Sequence, residues 1–297
     1  MAYNDNSCAA TKGNTGMSQC LDELGHDLIL LHTSLDFEID TEANAKLEAT
    51  YVDGIDAKNI YPFPAFEEIE DISEDDVYQE LATGSRIFIR EGKYTAVGRL
   101  RVPACKLSDL RSFNGVKGRI MIVTSNGKIL GTSPDDTKFK GFELADFRVS
   151  RIKGTDGSTA RFVDVTYQLK SPTEFGDYLA IPEITDWDPT TLDGLLDVTV
   201  TVDSSAEGSV VVSVASDCDD EAIEGLVQGD FTMLASDGTT SMLDADDFAD
   251  NEDGTYTFTF TTPVLPADTY TVNLKTPANQ TTGGYDPGSA ASFTIAE

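Results

Sequence analysis

Apolar and polar positions along this chain alternate more often than they recur every three or four residues, so the pattern predicts strands over most of its length. The first strand, over residues 27–39, follows about two dozen residues with few large side chains and the run Gly13-Asn14-Thr15-Gly16. That opening reads as an extended arm spanning 1–26. Thr41 is placed to N-cap a short helix, with Glu42 in its first turn, running through Ala43, Ala45, Leu47 and Ala49 and ending at Asp53-Gly54. Ile60-Tyr61-Pro62-Phe63-Pro64 cannot be helical, because each proline drives its predecessor towards extended geometry. Short strands are predicted next at 66–72, 77–81, 86–90 and 93–102. Asn126-Gly127 lies between the apolar runs 119–124 and 128–130, the strongest short-range hairpin signal. Asp156-Gly157 repeats the device between 142–152 and 159–169.

Pro182, Trp187, Asp188-Pro189 and Asp193-Gly194 mark residues 182–194 as a linker. Beyond it Val, Thr, Asp and Gly dominate, and Leu196, Val198, Val200 and Val202 alternate with polar residues. Further short strands are predicted at 209–214, 231–234, 254–260, 269–274 and 292–295. About seven short strands in about 100 residues is the spacing of an immunoglobulin-like sandwich, here without the Cys-Trp-Cys triplet of antibody domains. The fold class that follows is mainly β. An antiparallel sandwich or barrel with one short helix fills 27–181, and an immunoglobulin-like β-sandwich fills 195–297.

Charge changes the picture. The chain of 297 residues has a formal net charge of −31, divided as −16 over residues 1–85, +9 over 86–170 and −24 over 171–297. Such segregation makes copies repel at some surfaces and attract at others. In the basic segment, Arg148, Arg151, Lys153 and Arg161 gather near the Asp156-Gly157 turn and are candidate subunit-interface residues. The segment lacks the interleaved aromatics of a single-strand nucleic-acid platform, so self-association with the protein's own acidic surfaces is the preferred reading.

Catalytic chemistry is not evident. The chain contains no GxSxG, HExxH, Walker or GxGxxG motif, and no catalytic residue, cofactor or metal is expected. The carboxylates Asp244, Asp246, Asp247, Asp250, Glu252 and Asp253 do not match the EF-hand spacing and read as a solvated loop. Cys8, Cys20, Cys105 and Cys218 form no CxxC pair. A Cys8–Cys20 bridge is conceivable, but free thiols are expected of a protein made in a reducing cytosol. The first residues lack the basic-then-apolar order of a signal peptide, and no apolar run approaches the ~20 residues of a membrane span.

Asp253-Gly254-Thr255-Tyr256-Thr257-Phe258, followed after Pro263 and Pro266 by Thr269-Tyr270-Thr271-Val272, resembles the late-strand signature of filamin-type and bacterial immunoglobulin-like repeats. The whole order of arm, strand, short helix, hairpins, linker and sandwich resembles a phage virion protein, most closely a major tail tube protein. That resemblance implies stacked hexameric rings, contacts with other virion proteins, and DNA passing through the lumen without specific binding. It also implies a location in the phage tail after synthesis in the host cytoplasm, with no membrane insertion. An acidic lumen suits a DNA conduit, since like charge discourages sticking to phosphate. The alternative is a surface-binding module, a head decoration protein or adhesin, that grips a carbohydrate or a cell surface.

Overall fold

The computed structural model describes residues 25–154, 160–239, 247–260 and 265–296. The chain divides into two compact units, Met1–Asp193 and Gly194–Glu297, and it is mainly β. Most of the expected arm and the Asp156-Gly157 turn lie outside the described residues.

In the first unit the order is β1 (Asp27–Thr33), α1 (Glu42–Ala45), α2 (Glu48–Asp56), β2 (Ile60–Pro62), β3 (Glu68–Asp71), β4 (Val77–Glu80), β5 (Arg86–Arg90) and β6 (Thr95–Leu100). It continues with α3 (Lys106–Ser112), β7 (Arg119–Thr124), β8 (Ile129–Thr132), β9 (Phe142–Val149), β10 (Val163–Leu169), α4 (Pro172–Gly176) and β11 (Leu179–Ala180). Nine strands join in the order β11-β8-β7-β9-β10-β6-β3, with β1 on β7 and β2 on β1. The remaining two, β4 and β5, form a separate two-stranded sheet.

The near-continuous apolar runs of β1 and β7 are explained by burial on both faces. Leu30, Ile120 and Ile122 join one core with Phe63, Ala96, Leu100, Phe142, Phe147, Val165 and Tyr167, so the sheet wraps over a single interior. On the opposite face Ile29, Leu31, Met121 and Val123 are buried too. The Asn126-Gly127 hairpin forms as expected: β7 pairs with β8, the Gly127 N–H bonds the Thr124 carbonyl at 2.9 Å, and Gly127 takes φ 71°.

Two expectations are refined here. Thr41 does cap a helix, accepting from the Asn44 N–H at 3.2 Å, but the helix stops at Lys46 and restarts at Glu48 because Leu47 is extended, with φ −92° and ψ 128°. Asp53-Gly54 sits inside α2 and does not end it. A Cβ at Gly54 would lie 2.6 Å from Ile60 Cδ1, so this glycine serves close packing. Among the described residues the unit holds four short helices where one was expected.

Within the stretch expected as a linker, Pro182, Pro189 and Leu192 are buried and seven of the thirteen residues are exposed. Trp187 Nε1 donates to the Lys46 carbonyl at 2.8 Å, and its ring lies 5.5 Å from that of Tyr51. Asp188 caps the short turn Pro189–Thr191 by accepting from the Thr190 N–H at 3.0 Å, that turn lies beside β7, and Pro189 and Leu192 are buried. A large aromatic with one donor was held down by apolar area and by a carbonyl that the helix break leaves available. The unit boundary therefore falls at Asp193/Gly194.

The second unit contains β12 (Leu196–Ala206), β13 (Ser209–Ser216), β14 (Phe231–Leu234), β15 (Asp247–Asp250), β16 (Thr255–Thr259), β17 (Asp268–Leu274), β18 (Tyr285–Pro287) and β19 (Ala291–Ile295). These form a five-stranded sheet, β15-β16-β13-β12-β18, and a three-stranded one, β14-β17-β19. Val198, Val200, Val212, Tyr256 and Phe258 from the first meet Phe231, Met233, Tyr270, Val272 and Phe293 from the second in one core. Alternation puts Thr255, Thr257 and Thr259 of β16 outside and Tyr256 and Phe258 inside, and turns Val210, Val212 and Val214 of β13 into the core. Asp230 is fully buried. Burial opposes its charge, yet backbone N–H donors from Val227, Thr281 and Thr282 outweigh that and hold its carboxyl below the usual range. The Tyr270 hydroxyl donates to the Pro266 carbonyl at 2.7 Å, four residues upstream.

The cysteine expectation is corrected. Cys105 and Cys218 are both disulfide-bonded, while Cys8 and Cys20 lie outside the described residues. Bridging depends on Cα atoms meeting within roughly 4.4–6.8 Å in space, which spacing along the chain does not reveal.

Candidate assembly surface

Arg148, Arg151, Lys153 and Arg161 all sit towards one end of the β9–β10 pair. Arg148 faces Thr166 across the ladder, and an isolated bridge joins Lys153 to Phe162, next to Arg161. Two of the four cations have carboxylates of the same unit beside them: Arg148 Nε lies 2.9 Å from Asp146 Oδ2, and Lys153 Nζ lies 2.6 Å from Asp164 Oδ2. Asp164 also has Arg99 Nε at 3.8 Å, and the Arg99 guanidinium lies 4.0 Å from the centre of the Phe162 ring. Arg151 and Arg161 are exposed. Asn114 fixes this region to α3, accepting from the Val149 N–H at 2.6 Å and donating to its carbonyl at 3.2 Å.

A second surface is built from residues whose exposure the sequence did not reveal. The β4–β5 hairpin pairs Tyr78 with Phe88, Gln79 with Ile87 and Glu80 with Arg86. Side chains alternate, so Tyr78, Phe88, Glu80 and Arg86 share one face, and Gln79 and Ile87 lie on the other. Both faces are open: Tyr78 is 51 % exposed, Ile87 49 %, Phe88 51 % and Ile89 55 %. The Tyr78 and Phe88 rings meet edge to face at 5.6 Å. At the base, Arg90 pairs with Glu74 at 3.1 Å, and the Gly92 N–H bonds Asp76 Oδ1 at 2.9 Å. Nothing in Arg86-Ile87-Phe88-Ile89-Arg90 marks it as exposed; three consecutive apolar residues read equally as a buried strand.

His26 is exposed. His32 is buried, with no hydrogen-bond partner for either ring nitrogen among the described residues, and burial pushes its pKa down to about 4. Asp27 accepts from the hydroxyls of Tyr94 and Tyr167 at 3.1 and 2.7 Å. Burial first, then the Asp27 charge, hold both phenols above their usual range. Of the carboxylates expected in a solvated loop, Asp247 and Asp250 instead lie in β15, paired with β16; Asp250 accepts from the Gly225 and Glu252 N–H groups at 2.8 and 2.9 Å, and Asp253 from the Thr255 N–H at 2.9 Å. Asp244 and Asp246 fall outside the described residues. No group of three or more potential metal ligands forms among the described residues, and no described helix is long and apolar enough to cross a membrane. No protein-family model matches this chain, and no curated protein matches it.

Proposed function

We propose that this chain is a self-assembling structural subunit of a virion, the tail tube protein of a phage, whose first unit builds the ring and whose second unit is an immunoglobulin-like domain on the outside. The observation that carries the reading is the β4–β5 hairpin. It bears apolar side chains on two open faces and belongs to none of the three larger sheets. A two-stranded hairpin is marginal in water by itself, and an exposed apolar edge is a template for another chain. A contact with a further copy satisfies both demands. The basic end of β9–β10, beside a chain that is strongly acidic elsewhere, supplies complementary charge for orienting that contact.

The Tyr270–Pro266 bond supports the immunoglobulin-like assignment, since a tyrosine hydroxyl returning to the backbone a few residues upstream marks that sandwich. Disulfides at Cys105 and Cys218 suit a particle that leaves the reducing cytosol. Electron microscopy of the concentrated full-length protein, with sedimentation velocity across a dilution series, tests the reading. Rings or tubes are expected. A monomer at every concentration would sink it.

One observation favours the second reading, a carbohydrate-gripping surface module. The outer face of the five-stranded sheet aligns Thr201, Ser213 and Thr255 across three strands, a row of hydroxyls suited to sugar hydrogen bonds. Glycan-array binding by a protein that stays monomeric would select it.

A further inference from the structure

The open edges of the first unit differ in charge in a way that specifies which edge meets which. The sheet path ends at β3, with sequence Glu68-Ile69-Glu70-Asp71, and the two-stranded sheet ends at β5, with sequence Arg86-Ile87-Phe88-Ile89-Arg90. One edge is acidic and the other basic, each with apolar side chains between its charges.

Backbone parity narrows the pairing further. In an antiparallel ladder alternate residues turn their N–H and C=O groups to the neighbour, and those between turn them outward. The Ile72 N–H bonds the Thr95 carbonyl, and the Glu74 N–H bonds that of Lys93. Continued along the register, this alternation leaves the backbone groups of Ile69 and Asp71 on the open edge of β3. The Leu81 N–H bonds the Ser85 carbonyl, so on β5 the groups of Arg86 and Phe88 face outward. An antiparallel pair that sets Phe88 opposite Ile69 therefore joins outward groups to outward groups. It also places Arg86 opposite Asp71, an opposite-charge pair beside an apolar one.

The competing pairings are penalised. A symmetric β5–β5 contact centred on Phe88 opposes Arg86 to Arg90 of the other copy, and does so twice. A symmetric β3–β3 contact sets Glu68, Glu70 and Asp71 against one another. Like charges directly opposite destabilise a ladder, and opposite charges or apolar pairs stabilise it. Specificity here comes as much from the rejected pairings as from the accepted one.

We infer that the β4–β5 hairpin is a strand-donating arm whose β5 edge adds, antiparallel, to the β3 edge of a second copy of this chain. Because the two surfaces differ, each contact is head-to-tail, and its repetition gives open filaments or closed rings, of which a reciprocal two-fold exchange is the smallest. The inference rests on the self-assembly reading and deepens it by naming the contact.

Charge exchange in the full-length protein tests it, with sedimentation velocity as the readout and circular dichroism as a check on folding. Arg86→Glu alone and Asp71→Arg alone each should raise the concentration for half-assembly roughly tenfold, as expected for losing an attractive pair and gaining a repulsive one. Arg86→Glu combined with Asp71→Arg in one chain should restore assembly to near the wild-type concentration. An equimolar mixture of the two single variants should recover assembly as alternating copies, because the β5 edge of each is complementary to the β3 edge of the other while each variant repels its own kind. If both single variants assemble like wild type, or the double variant fails to recover while folded, the edge pairing is overturned and self-assembly stands. If wild type itself never assembles, the self-assembly reading fails first.

Discussion

His32 sits on the core face of β1, where no described group hydrogen-bonds its ring nitrogens. The Phe113 and Phe147 rings meet it edge-on at 5.0 and 5.5 Å, and a Cβ on Gly118 would come within 2.5 Å of its ring. Burial holds the folded pKa at about 4 against 6.5 for the ordinary group. As pH falls below 6.5 the unfolded chain takes up a proton that the folded chain refuses, so stability drops until pH reaches about 4 and this contribution levels off. The total is about 3 kcal/mol. Urea unfolding of wild type and His32→Phe at pH 7.5 and pH 4.5 checks this. Carboxylates act in both proteins, so the difference between them isolates the histidine. The variant should lose markedly less stability on acidification, and equal losses would show that His32 carries no such penalty.

At the scale of elements, what local pattern encodes was legible and what distant contacts decide was not. Alternation located most strands, and Asn126-Gly127 located its hairpin. Thr41 announced the start of α1, but the break at Leu47 has no local signal. It coincides with the Lys46 carbonyl accepting from Trp187, a residue 141 positions away. Proline-rich composition marked 182–194 as a linker, but nothing local showed that Trp187 would reach Lys46 and Tyr51 or that the turn Pro189–Thr191 would lie beside β7. Of the candidate site, the clustering of Arg148, Arg151, Lys153 and Arg161 was legible from hairpin symmetry. The exposure of Ile87, Phe88 and Ile89 was not, because periodicity cannot distinguish a buried triplet from an uncovered one. The Trp187 contact makes its own prediction. Trp187→Ala removes ring contact and one hydrogen bond and should destabilise the first unit by about 2 kcal/mol, with Trp187→Phe costing less than half of that. Trp187 is the sole tryptophan, so its emission during denaturation of the wild type reports the unfolding of this unit. Chemical shifts or circular dichroism serve for the variants, and a change of under a few tenths of a kcal/mol in Trp187→Ala would mean that the segment only rests on the surface.

At the scale of the whole molecule, the two units differ in what they bring to assembly. Residues 191–297 contain 20 acidic side chains and one basic, Lys275, so copies of the second unit repel, and salt relieves that repulsion over a Debye length of about 8 Å at physiological strength. The first unit carries the open edges and the basic end of β9–β10, where salt should weaken attraction instead. These opposite dependences make the division of labour measurable. The fragment 1–193, which keeps Trp187 and Leu192, should form the same rings as the full chain, and added salt should loosen them. In the full chain salt should loosen the rings less, or tighten them, because relief of repulsion between second units opposes the loss of attraction. Arg148→Glu with Arg151→Glu in the fragment should raise the assembly concentration most at low ionic strength, with the effect shrinking as salt is added. A fragment 1–193 that stays monomeric while 194–297 oligomerises alone would reverse the roles, since the repulsive unit would then be the one holding the particle together, and the tube reading would have to be abandoned.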